Sequence, residues 1–106
     1  MMTDREYLES IHAISPRKYK YNEDKILLEL KQYIDATYDE HYSQNKFQTT
    51  EFIMDCGHGD GFCLGNAIKY IQRYGKKEGF NRKDLIKATH YCIMALHNHD
   101  TLRGNK

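Results

Sequence analysis

Between Asn22 and Tyr42 the apolar residues return with the period of an α-helix. Ile26, Leu27, Leu30, Tyr33, Ile34, Thr37 and Tyr38 follow the i, i+3, i+4, i+7 rule, while Glu29, Lys31, Asp35, Asp39 and Glu40 take the remaining positions. Asn22 suits the cap, and Glu23 and Asp24 suit the positive end that follows it. A shorter helical pattern runs from Asp4 to Ala13, with Tyr7, Leu8 and Ile11 on one side, and Ser15-Pro16 stops it. Thr49 or Thr50 can cap a third helix carrying Phe52, Ile53 and Met54, after a polar connection over Ser43 to Lys46. A last helix opens at Asn81, three residues before Asp84 in the manner of a capping box. Its expected core stripe is Leu85, Ala88, Cys92, Ala95 and Leu96.

The expectation is an all-α fold, a compact bundle of four to five helices. A chain of 106 residues holds one such core, so residues 1–106 are read as a single domain. Residues 1–21 form a loosely packed N-terminal segment and 98–106 a polar tail. Nine tyrosines and four phenylalanines without a tryptophan give amphipathic rings suited to partly wet interfaces, so a homo-oligomer is expected. The three cysteines, with no long apolar span or leader before them, point to a reducing cytoplasm and away from a membrane.

Between the second and last helices lies the stretch in which polar residues look selected. Gly57-His58-Gly59-Asp60-Gly61 places three glycines in five residues, a loop able to turn backbone N–H groups toward a phosphate at the next helix's N-terminus. It is not a Walker A loop, because no G-x-x-x-x-G-K-[ST] run is present. On the helix that follows, Asn66, Lys69, Tyr70, Arg73 and Lys77 share one narrow arc, and Leu64, Ala67, Ile68, Ile71 and Tyr74 lie opposite as its expected core. Asp84, Lys87 and Tyr91 form a second polar stripe on the last helix.

Charge supports an anionic ligand at this place. Residues 1–62 carry twelve acids against seven bases, whereas residues 63–99 carry seven bases against two acids. So local a basic patch favours a confined anion over a long polyanion, which argues against nucleic acid. Zinc is set aside because Cys56-x-His58-x-x-x-x-Cys63 is not a zinc spacing, and no metal ligand is assigned. Asp35 and Asp39 are one helical turn apart, as magnesium-binding acids are, but on a wet face such acids are ordinarily solvated. Cys92 is expected in the core, while Cys63, beside a helix N-terminus, is open to a lowered pKa.

The series Gly65-Asn66-x-x-Lys69-Tyr70-x-x-Arg73-x-x-x-Lys77, then Asp84-Leu85-x-Lys87-Ala88-x-x-Tyr91, resembles a small phage protein family that includes the nucleotide kinase of a podovirus. The resemblance implies a helical, oligomeric, nucleotide-binding protein in the cytoplasm of an infected bacterium, with kinase-like phosphotransferase activity. It implies a nucleoside triphosphate donor and magnesium. Catalytic roles fall to Lys69, Arg73 and Asp84. Ligand binding falls to His58, Gly65, Asn66, Lys69, Tyr70, Arg73, Lys77, Lys87 and Tyr91. Two alternatives stay open: a protein that sequesters a nucleotide without turning it over, as an anti-defence device, and an accessory protein that binds nucleic acid.

Overall fold

In a computed structural model of the chain, residues 2–14, 17–42 and 46–104 are described, without the side chains of 11–14, 41, 42 and 46–48. The expected Ser15-Pro16 stop, the connection at 43–45 and the side chain of Ile11 lie outside the described residues. Five α-helices follow in order: α1 (Asp4–Ile14), α2 (Glu23–Tyr42), α3 (Lys46–Ile53), α4 (Gly59–Arg73) and α5 (Arg82–Arg103). There is no strand among the described residues, so the protein is all-α. None of these helices is long and apolar enough to cross a membrane. The chain divides into two compact units, Met1–Thr37 and Tyr38–Lys106, with the boundary inside α2.

In the first unit, α1 starts on a reciprocal cap. The Glu6 N–H donates to Thr3 Oγ1 at 3.1 Å, and Thr3 donates back to Glu6 Oε1 from its N–H at 3.3 Å and its hydroxyl at 2.9 Å. Gln32 Nε2 then donates to Asp4 Oδ2 at 2.9 Å, fixing the start of α1 to α2. Asn22 does begin α2, its carbonyl accepting from the Ile26 N–H at 2.9 Å, and it does so from a left-handed φ of 57° that asparagine tolerates better than most residues. Of the expected stripe, Leu30 and Thr37 are buried, whereas Ile26, Leu27 and Tyr38 are exposed. Asp35 is engaged by Lys31 at 2.8 Å, an exposed pairing between successive turns.

In the second unit, α3 begins at Lys46, so Thr49 and Thr50 lie inside it and do not cap it. A threonine costs a helix interior well under about 1 kcal/mol, too little to end it. A wide π-type turn over Met54–His58 then leads into α4. The expected glycine loop is therefore a kink. Only Gly57 adopts a positive φ, at 90°, while Gly59 and Gly61 are helical residues of α4.

Helices α4 and α5 form an antiparallel pair that contains the unit's best-buried residues. On α4 these are Gly59, Cys63 and Ala67, spaced four apart so that small side chains form one ridge. On α5 they are Asp84, Ile86, Ala88 and Asn98. The ridge admits Asn98 so closely that a Cβ on Gly59 would stand 2.5 Å from Asn98 Oδ1. Asn98 Nδ2 donates to Asp60 Oδ1 at 2.8 Å, and Arg103 donates to Asp60 Oδ2 at 2.8 Å. Asp60 thus ties α5 to α4 rather than capping its own helix.

These contacts correct part of the expected core, of which Ala67 and Ala88 are buried as expected. Leu64, Ile68 and Ile71 are exposed, Ile68 by 64%, and so are Leu85, Cys92 and Leu96 on α5. The packed face of α4 is turned roughly a quarter of a revolution toward its polar arc, at about 100° per residue. Small residues explain the rotation, because a Gly59-Cys63-Ala67 ridge lets two helices approach where leucine and isoleucine hold them apart. Cys63 is fully buried, and burial, then the negative charge of Asp60, push its thiol pKa up rather than down. The stretch from Asn98 continues α5 as far as Arg103, where Gly104 at φ 82° follows.

Candidate functional site

Helix α4 stops because Tyr74 turns extended, at ψ 124°, and Gly75 follows at φ 85°. Tyr74 packs edge-on against Phe80 at 5.4 Å across the turn, and the Gly75 N–H donates to the Gly79 carbonyl at 2.9 Å. The turn returns the chain to Asn81, whose Oδ1 accepts from the Lys83 N–H at 3.0 Å and caps α5. Asp84 gives nothing back to that cap. Its backbone N–H donates to the Asn81 carbonyl at 3.0 Å, while its Oδ2 has no hydrogen-bond partner. The capping box expected from the sequence is therefore half formed.

At the middle of the helix pair the two polar stripes meet along the seam. The rings of Tyr70 and Tyr91 stack nearly parallel, 9° apart with centroids at 5.9 Å, and Phe62 meets Tyr91 edge-on at 6.0 Å. Around Tyr70 stand three cations: Arg73 Cζ at 5.1 Å from the ring centre, Lys87 Nζ at 5.2 Å and Lys69 Nζ at 5.6 Å. Each gains about 0.5–1 kcal/mol from the ring face at such half-wet positions. Among the described residues none of the three forms an ion pair with a carboxylate. Three positive charges gathered on one ring raise the local potential for an anion, and the stacked rings offer a flat apolar surface beside it.

Five of the expected site residues are thus brought together: Lys69, Tyr70, Arg73, Lys87 and Tyr91. Asp84 is on the same side of α5 as Tyr91, two turns before it. Asn66 lies beside the seam, but its Nδ2 already donates to the Phe62 carbonyl at 2.8 Å, which leaves its oxygen and one N–H for a ligand. Lys77 is not on the helical arc, since α4 has ended four residues earlier, and it stands exposed in the turn. Gly65 is exposed, with open space where a Cβ would be. His58 precedes α4, and ten residues of helix, about 15 Å, separate its neighbour Gly59 from Lys69. Neither the glycine kink nor His58 belongs to the cluster.

The sequence reading missed Phe62 and the Asp60–Asn98–Arg103 tie. Phe62 was signalled by its spacing, four residues before Asn66 and eight before Tyr70. The tie had no local signal, because its partners are 38 and 43 residues apart. Among the described residues no group of three or more His, Cys, Asp or Glu side chains is placed to hold a metal ion.

No curated protein and no solved structure matches the chain. A family match does exist, over residues 36–92, which is more than half of the 106 residues and includes every member of the Tyr70 cluster. The chain belongs to the family described as Protein of unknown function (DUF3310).

Proposed function

We propose that the α4–α5 seam binds a nucleotide and that the protein is a kinase-like phosphotransferase without a P-loop. The observation that carries this reading is the convergence of Lys69, Arg73 and Lys87 on the face of Tyr70, itself stacked on Tyr91. Phosphate oxygens take the cations, with the Arg73 fork suited to two of them at once, and the base or sugar lies against the aromatic side. The resemblance of the Gly65–Lys77 and Asp84–Tyr91 series to a phage family that includes a nucleotide kinase supports the same reading.

Phosphoryl transfer demands positioning and charge neutralisation more than a covalent nucleophile. In the proposed reaction an oxygen of a nucleoside monophosphate attacks the γ-phosphorus of a triphosphate donor carried with magnesium. The bond to the β-phosphate oxygen breaks, and two diphosphates leave. Lys69 and Arg73 neutralise the transferring group, and Lys87 holds the acceptor phosphate.

Incubation with labelled ATP and each nucleoside monophosphate, with and without magnesium, tests the reaction. A labelled diphosphate is the expected product. Tight retention of nucleotide with no product would replace the kinase by a sequestering protein, and tight binding of DNA at physiological salt would replace both by a nucleic-acid partner. Lys69→Ala and Arg73→Ala should each weaken nucleotide binding by about tenfold to a hundredfold, the worth of a charge-assisted hydrogen bond, with helicity unchanged. Unchanged binding in both variants would place the site elsewhere.

A further inference from the structure

One carboxylate oxygen in this seam has no donor. Asp84 is only 3% exposed, and its Oδ2 is buried without a hydrogen-bond partner. Buried acceptors are met by a donor in nearly every protein, and leaving one unmet costs more than a surface contact returns. Its place in the helix pair says which donor would meet it. Gly59 abuts Asn98, and Lys87 lies over Tyr70, so α4 and α5 run in a register that sets Asp84 level with Arg73 and Tyr74. On its own helix it shares a side with Tyr91, and Lys87 comes one turn after it.

Arg73 and Lys87 would be the obvious partners, but both are held over the Tyr70 ring, and neither forms an ion pair with Asp84 among the described residues. The seam therefore holds cations and one unmet acceptor at the same level of the helix pair. An oxyanion with no proton satisfies the cations and repels the carboxylate. A ligand that carries an O–H next to its anionic oxygens satisfies both.

Resting on the nucleotide reading above, we infer that Asp84 is a specificity residue: its Oδ2 accepts a hydrogen bond from a hydroxyl of the bound phosphate compound, and the site rejects oxyanions that lack one. The hydroxyl has two possible sources, the phosphate's own P–OH or a sugar hydroxyl beside it. Inorganic phosphate keeps at least one P–OH at neutral pH, and sulfate keeps none. A nucleoside monophosphate is mostly dianionic at pH 7, its second pKa being about 6, so its donor is the sugar.

Calorimetric titration of the full chain at pH 7 with four probes separates these cases: inorganic phosphate, sulfate, a nucleoside monophosphate and its 2′,3′-dideoxy counterpart. The wild type should prefer the hydroxyl-bearing member of at least one pair by about tenfold or more, the value of one hydrogen bond to a charged group. A gap between phosphate and sulfate assigns the P–OH, and a gap between the two nucleotides assigns the sugar. Asp84→Ala, which removes the acceptor, should close that gap while the variant still binds the anion. Asp84→Leu, close to aspartate in shape and without a polar atom, serves in its place if circular dichroism shows the alanine variant misfolded.

No gap in either wild-type pair overturns the inference without any variant, and so does a gap that survives in the folded variant. Failure of all four probes to bind overturns the nucleotide reading as well. Binding without discrimination overturns Asp84's role alone.

Discussion

Replacing Gly59 by alanine should destabilise the protein, and replacing Gly61, two residues on in the same helix, should stabilise it. Both glycines are helical, so alanine gains about 0.5–1 kcal/mol at either position from backbone entropy. At Gly61 nothing lies within 4 Å of the added Cβ, and that gain is kept. At Gly59 the Cβ would stand 2.5 Å from Asn98 Oδ1, 2.7 Å from its Cγ and 2.9 Å from its Nδ2. A short buried side chain held at its tip by Asp60 cannot swing away and keep its bond. Overpacking of this kind costs about 1–3 kcal/mol, and loss of the bond to the half-exposed Asp60 carboxylate adds to it. The net expectation for Gly59→Ala is a loss of about 1–3 kcal/mol. With about 4–8 °C of Tm per kcal/mol in a domain of this size, the two variants should melt on opposite sides of the wild type. Urea and thermal unfolding followed by circular dichroism at 222 nm give both numbers. Equal stabilisation by the two alanines would refute the close approach of α5 to Gly59, and with it the register that sets Asp84 beside Arg73.

Two further outcomes follow from the same helix pair. The Arg103 hydrogen bond, then that of Asn98, hold the Asp60 carboxyl below its ordinary value, so its contribution is present above the unfolded value of about 3.9 and is lost as pH falls through the folded one. Acid titration should therefore unfold the wild type more steeply below about pH 4 than Asp60→Asn, which has no such charge to lose; identical acid limbs would deny the pairing. With a thiol reagent at pH 8, Cys56 and Cys92, both exposed, should react promptly, while the buried Cys63 should wait for unfolding. Three equally fast thiols would contradict the packed ridge.

The bounds of α2 were legible because its cap, its acidic first turn and its apolar period agree. The all-α class followed from the same periodicity. Glycine chemistry was less transparent. Three glycines in five residues read as a loop, yet only Gly57 needs its positive φ, and Gly59 is there for what lies across from it. A residue required by a partner 39 positions away leaves no local trace.

The site divides along the same line. Lys69, Tyr70, Arg73, Lys87 and Tyr91 were legible because helical spacing alone puts them on two stripes. Lys77 was misplaced because the wheel assumes a helix that Tyr74 has already ended. The rotation of the packed face toward the stripes was hidden, since apolar size pointed to Leu64, Ile68 and Ile71 while close approach selected Gly59, Cys63 and Ala67. Asp84 was visible as a stripe residue, but its burial and its unmet oxygen are properties of the packed pair.

The short turn from Tyr74 to Asn81 also bears on how the protein folds. Every member of the aromatic and cationic cluster lies between Phe62 and Tyr91, so the whole constellation closes across one turn with little loop entropy. Contacts this local form early and fast, whereas the tie from Asp60 to Arg103 spans the full length of the hairpin and closes after it. The candidate site is thus built into the quickest part of the chain to assemble. The clamp at the open ends sets how long it lasts.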